Sequence, residues 1–215
     1  MNPYLATTLA MCLIAGLALA ATAYLAVAFN RRAKRDLAAR LAPLAGAIAG
    51  EADIEEALVT GRYERHLVFG RVANGAGGIG RVFRVEIVDA AGGDAWEWSS
   101  LPVKGQPHPA RAFEGGAELE RRLDVDWLDL SAVVPDAAQQ RYGFAYDPAA
   151  GMLRLTRAMQ SRLDIPDAPT FLRQLDALVR LGRLNRRAQD APDADLATTA
   201  TPPVEPPGVD RTADA

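Results

Sequence analysis

The side chains with enough reactivity to support catalysis are few: His66, His108, Cys12 and the serines Ser99, Ser100, Ser131 and Ser161. None of the serines sits in a G-x-S-x-G elbow, the strained strand-to-helix turn that exposes a nucleophile. Cys12 lies within an uncharged apolar run, where it reads as a small apolar residue. His66 falls in an alternating strand pattern and His108 between Pro107 and Pro109. They read as a half-buried polar side chain and an exposed loop residue, not as general bases. One cysteine and two histidines, with no H-E-x-x-H spacing, make neither a disulfide framework nor a zinc site. No catalytic residue, metal or cofactor is expected.

Gly75, Gly77 and Gly80 fit the G-x-G-x-x-G spacing of dinucleotide-binding folds. That fingerprint needs a helix to begin inside it, so that helix N–H groups meet the pyrophosphate. The residues after Gly80 are RVFRVEIV, a strand by period and by β-branched content, so a hairpin loop is expected instead. Asp124, Asp126 and Asp129 in DVDWLD resemble part of a calcium loop but lack its glycine and its distal glutamate; a solvated acidic turn is the better account. Trp96, Trp98 and Trp127 with Tyr142, Phe144 and Tyr146 either line a ligand groove or fill a core against a covering helix, and the second is expected in a small sheet.

Charge is the stronger signal. Residues 1 to 30 contain no Asp, Glu, Lys or Arg, and residues 31 to 40 carry +4 through Arg31, Arg32, Lys34, Arg35 and Arg40 against Asp36. The body from 41 to 189 is −2 and the tail from 190 to 215 is −5. A second basic set, Arg173, Arg180, Arg183 and Arg187, lies on the polar side of the last amphipathic segment. It is a possible membrane or partner face. Nucleic acid is not expected as a partner, because phosphate-dominated binding leaves a basic excess that this body lacks.

The elements that must position these residues follow from periodicity. Leu5 to Phe29 is a continuous apolar run of 25 residues, about 37 Å as a helix, against a hydrocarbon core of about 30 Å. A cleaved signal peptide would need a positive start and a shorter apolar run. We expect an uncleaved anchor over 1–30, with the five basic residues after it at the lipid head groups. By the Lys/Arg bias the N-terminus is outside and the body cytoplasmic, at the cell inner membrane. Tyr4, Tyr24 and Phe29 suit interfacial aromatic belts, and Cys12, Gly16 and Ala20 form a small-xxx-small row. Residues 31–50 continue as a basic juxtamembrane helix in which Pro43 predicts a kink or break.

Asp53 to Thr60 carries an Asp cap, early acids and a following glycine, the signals of a short helix. Beyond Gly61 the period becomes two, predicting strands near 64–73, 80–88, 94–100, 140–147 and 151–158, joined as antiparallel hairpins by Gly-rich turns. Lys104 to Arg111 reads as a Pro-containing loop and Ala117 to Leu123 as a short helix. Asp167 and Pro169 open a final helix whose apolar face is Phe171, Leu172, Leu175, Leu178, Val179 and Gly182. The fold class is therefore α+β, with a domain over 51–188 made of an antiparallel sheet covered by a C-terminal helix. The segment 189–215 is acidic, Pro-rich and poor in large apolar residues, and is expected to be disordered.

The layout looks like that of many bacterial membrane proteins and carries no residue-level motif. The function expected from it is a non-catalytic accessory or scaffold that serves a membrane-associated protein partner at the bilayer. The alternative is a membrane-tethered enzyme or small-ligand sensor with an aromatic-lined pocket.

Overall fold

The computed structural model describes residues 3–75, 80–88, 93–101, 110–125, 134, 141–161 and 164–190. The acidic tail from 191 onward lies outside them, as do Gly77, His108, Asp126, Trp127, Asp129 and Ser131.

Helix α1 spans Pro3–Ala47, 45 residues without interruption. Its apolar part is long and apolar enough to cross a membrane and is not buried against the protein. Leu9, Leu13, Leu17, Tyr24, Val27 and Phe29 are each at least half exposed. The expected break at Pro43 does not occur, for the helix runs through it. A mid-helix proline costs about 3 kcal/mol. Leu41, Leu44 and Ile48 around it are completely buried against the domain, and each such burial contributes about 1.5–3 kcal/mol. The sum of three exceeds the cost of one proline. The helix closes where the Ala45 carbonyl accepts the N–H of Ile48 (3.2 Å) and of Gly50 (2.9 Å), with Ala49 left-handed at φ 47°. Gly50 must lack a side chain, since a Cβ there would stand 2.1 Å from the Thr60 carbonyl oxygen.

The helix expected over Asp53 to Thr60 is instead a hairpin of β1 (Glu51–Asp53) and β2 (Leu58–Tyr63). Asp53 does cap, accepting the N–H of Glu55 (2.8 Å) and Glu56 (3.2 Å). Ala57, left-handed at φ 50°, ends the turn after one cycle. The residues that follow it are taken by pairing, Leu58 to Tyr63 against Arg71 to His66 of β3 (His66–Asn74). A local Asx cap fits a turn as well as a helix, and tertiary pairing decides.

Then come β4 (Arg81–Val88), β5 (Trp96–Leu101), β6 (Ala110–Glu114), α2 (Ala117–Leu123), β7 (Tyr142–Asp147), β8 (Met152–Ala158) and α3 (Ala168–Asp190). β6 is a strand that the sequence hid within and after the Pro-containing loop. All pairings are antiparallel, in the order β1-β2-β3-β4-β8-β7-β5-β6. The fold is α+β, with eight strands in one sheet.

One sheet face is apolar: Val68, Phe83, Val85, Ile87, Leu153, Leu155, Phe144, Trp96 and Trp98 are buried there. α3 covers it with Phe171, Leu175, Leu178 and Leu181. Asp167 caps α3, its Oδ1 accepting the Thr170 N–H at 2.9 Å, and hydrogen bonding to the Thr170 side chain and then to this N–H holds its carboxyl below the usual carboxylate pKa. Gly70 leaves room for the Phe171 ring, which a Cβ would approach to 3.2 Å. The core also includes Leu41, Leu44 and Ala45 of α1 and Ile48 just past its end, so the packed unit begins upstream of residue 51.

Candidate functional site

One end of the sheet lies beside the stretch of α1 that follows the apolar run. Lys34 Nζ meets Glu55 Oε1 of the β1–β2 turn at 2.5 Å, and the Val72 N–H donates to the Ala57 carbonyl at 3.1 Å. A groove between helix and sheet is lined by Asn30, Ala33, Lys34, Asp36, Leu37, Ala57, Val72 and Arg81. Arg141 belongs to the same end, because Arg81 and Arg141 offer their carbonyls to Met159 and Ala158 at 2.8 Å.

Four of the five basic residues expected at the head groups, Arg31, Arg32, Arg35 and Arg40, are exposed, and Lys34 is nearly half exposed. Among the described residues only Lys34 of these forms an ion pair. That pair is solvent-exposed on both sides and contributes at most about 1 kcal/mol. The belt therefore keeps a net positive charge directed outward, with Asp36 as its one acid.

The second basic set shares one exposed stripe of α3. Arg173, Arg180, Arg183 and Arg187 are all exposed. Arg173 donates to Thr170 Oγ1 at 3.1 Å, and Arg183 pairs with Glu64 of the β2–β3 turn at 3.2 Å. β2 starts beside the groove at Leu58 and ends at Tyr63, so Glu64 marks the opposite end of the sheet. The stripe thus leads away from the basic belt. Asp176 interrupts it, accepting the Tyr63 hydroxyl at 2.5 Å. That bond, together with burial, pushes the Tyr63 phenol up to about 12.

Trp96, Trp98, Tyr142, Phe144 and Tyr146 are buried and pack on one another, with Trp98 and Tyr142 centroids 5.4 Å apart. They fill the core. His66 is buried and hydrogen-bonded to the Val88 carbonyl at 3.2 Å. Gly75 and Gly80 close the β3–β4 hairpin, the Gly75 N–H meeting the Gly80 carbonyl at 2.8 Å. Asp124 ends α2 in a left-handed conformation. Among the described residues no group of three His, Cys, Asp or Glu side chains converges on one point.

Sequence reasoning missed the polar constellation on the sheet face opposite α3. There Glu86, only 2% exposed, is held by Arg71 Nη2 and Arg154 Nε, each at 3.0 Å. Arg84 sits between them in the register, opposite Arg71 and Thr156. The alternation of Arg84 and Glu86 along β4 was visible. Their meeting with Arg154 depends on β4 pairing with β8, 68 residues away from Glu86 along the chain.

Comparison of the chain with family models, curated proteins and solved structures returns no match.

Proposed function

We propose that this chain is a single-pass protein of the cell inner membrane. Its N-terminus is outside, and α1 holds a cytoplasmic α+β domain rigidly as a non-catalytic scaffold for a membrane-associated protein partner. The observation that carries this reading is the continuity of α1. The helix that follows the apolar run supplies Leu41 and Leu44 to the domain core, and Ile48 follows at its end, with no linker between. About twelve residues, or 18 Å of helix, separate Phe29 from Leu41. The domain is therefore presented at a set height and rotation.

The five basic residues after the run favour this orientation and seat the helix at anionic head groups, at about 1 kcal/mol per residue near the surface. The α3 stripe, with Arg173, Arg180 and Arg187 along its length, is the surface offered to the partner.

Rigid presentation has a measurable signature. The full chain is crosslinked in membranes, and a recurrent second protein is recovered with it. Two alanines inserted between Asn30 and Arg31 rotate the domain by about 200° and are expected to abolish that crosslink. Seven alanines return it to within about 20° of its original phase and preserve contact, about 10 Å lower. A yield indifferent to helical phase, or recovery of the chain alone, would count against the scaffold. The second reading, a small-ligand sensor, is favoured by the open cleft described next.

A further inference from the structure

Register on the sheet face opposite α3 places a row of small side chains across three strands, with Arg84 beside it on a fourth. Arg84 of β4 stands opposite Thr156 of β8, Thr156 opposite Gly143 of β7, and Gly143 opposite Ser99 of β5. One step along each strand pair, in the next row on this face, Arg154 stands opposite Ala145, and Ala145 opposite Glu97. Gly143 cannot carry a side chain, since its Cβ would lie 2.8 Å from the Trp98 carbonyl oxygen. The result is a cleft of about 210 Å³ with Ser99, Gly143, Ala145 and Thr156 among its lining, edged by Arg84, Arg154, Arg141 and Glu97.

Arg71, Arg84, Arg141 and Arg154 gather on this face with Glu86 and Glu97, while Glu114 and Asp147 lie beyond Glu97 and Arg154, away from Arg84. Glu86 is almost completely buried and its carboxylate is engaged by Arg71 and Arg154, not by Arg84. Arg84 enters no ion pair among the described residues, and its buried Nε has no hydrogen-bond partner there. Burial, and then the nearby Arg154, hold its pKa below the ordinary arginine value. A buried donor without an acceptor is costly, and so is a guanidinium crowded by another. Both are relieved by an anion with several acceptor oxygens.

We infer that the cleft is a binding site for a phosphate group. Arg84 supplies the principal charge, Arg154 and Arg141 flank it, and the hydroxyls of Ser99 and Thr156 complete the donor set. The terminal oxygens of a phosphate suit several arginine forks at once and supply the acceptor that the buried Arg84 Nε lacks. The site stands on the sheet register alone and is independent of the membrane reading. The phosphate belongs either to a soluble molecule or to a lipid head group, because Arg141 and Arg81 lie at the end of the sheet beside Asn30.

The test uses the full chain in micelles at constant ionic strength, with inorganic phosphate as the probe and the ¹⁵N–¹H signal of Arg84 Nε as the readout. Saturable movement of that signal is expected, with Arg84→Gln weakening phosphate affinity at least about tenfold by calorimetry. Arg65→Gln, in the exposed β2–β3 turn, is expected to leave it unchanged. Should Arg84→Gln fail to fold, Ser99→Ala with Thr156→Ala takes its place, and weakened affinity is again the expected result. Nanodiscs containing phosphatidic acid then separate the sources. A lipid phosphate leaves the Arg84 signal already displaced and unresponsive to added phosphate, whereas a soluble one leaves it free to titrate. Absence of saturable binding, or affinity unaffected by these variants, would overturn the site.

Discussion

The Trp96 indole N–H donates to Oδ1 of Asn185 at 3.0 Å within the buried core, joining β5 to α3 across 89 residues of chain. Truncation by Asn185→Ala leaves that N–H buried without an acceptor, which costs about 1–3 kcal/mol. Chemical denaturation is expected to register a loss of this size. Arg187→Ala on the exposed side of the same helix should stay within about 0.5 kcal/mol of wild type.

Arg157 is a buried arginine on the apolar face, 3% exposed, that holds the loop leading into α3. Its Nη1 meets Asp164 Oδ1 at 3.0 Å and its Nη2 donates to the Asp164 carbonyl at 2.6 Å. Arg157→Met removes both grips and leaves the partly exposed Asp164 carboxylate with the Gln160 N–H, so a loss of about 1–3 kcal/mol is expected. Arg157→Lys recovers the charge without the fork and should recover only part of the stability. Equilibrium unfolding of the two variants measures the difference.

Tyr63 provides a pH prediction. Its phenol is raised from 10.0 to about 12, chiefly by the bond to Asp176 and then by burial. The neutral phenol is favoured in the folded state. The stability it contributes is complete below about pH 10 and is lost as pH rises through about 12. Asp176→Asn is expected to return the Tyr63 transition toward 10 in an ultraviolet titration. A transition that stays near 12 in this variant would show that burial, not the bond, sets it.

Leu44 lies on α1 but is completely buried against the domain. Leu44→Ala is expected to destabilise the domain by about 2–5 kcal/mol although it changes the long N-terminal helix. A fragment beginning at residue 51 lacks Leu41, Leu44 and Ile48 and should melt well below one beginning at 31. Thermal scans of the two fragments make the comparison.

Orientation is read with Ala149→Cys, in the exposed turn between β7 and β8. Ser100 is a poor reporter because it is completely buried. The cytoplasmic assignment predicts that a membrane-impermeant thiol reagent labels this variant only after cells are opened. Labelling of intact cells would reverse the proposed topology.

Wherever structure is local, the sequence was a good guide. The Asp167 cap, the face of α3, the short α2 and the period-two strands all appear close to where periodicity put them. The misreadings share a cause. Asp53 caps correctly, but whether a cap opens a helix or closes a turn was decided by β3, which pairs with the residues after Ala57. Pro43 argued for a break and was overruled by Leu44 and Ile48, whose burial involves strands that come later in the chain. The candidate phosphate cleft was illegible for the same reason. Arg84, Thr156 and Ser99 are neighbours only because the β7–β8 hairpin inserts between β4 and β5, an order that no spacing in the sequence records.

Residues 183 and 185 of α3 touch opposite halves of the sheet, Arg183 at the β2–β3 turn and Asn185 at β5. β3 and β5 stand four strand positions apart, about 19 Å if flat, while a helix is only about 10–12 Å across. α3 therefore bridges the two halves of the sheet through long side chains on its opposite sides. It is also the last of the described elements to be synthesised, so every strand emerges before the helix that covers its apolar face exists. Until residue 190 is made, eight strands wait with an aromatic face open to solvent, beside a helix α1 already made. A chain stopped short of α3 would yield a sheet prone to pair with its own copies, not a smaller version of this domain.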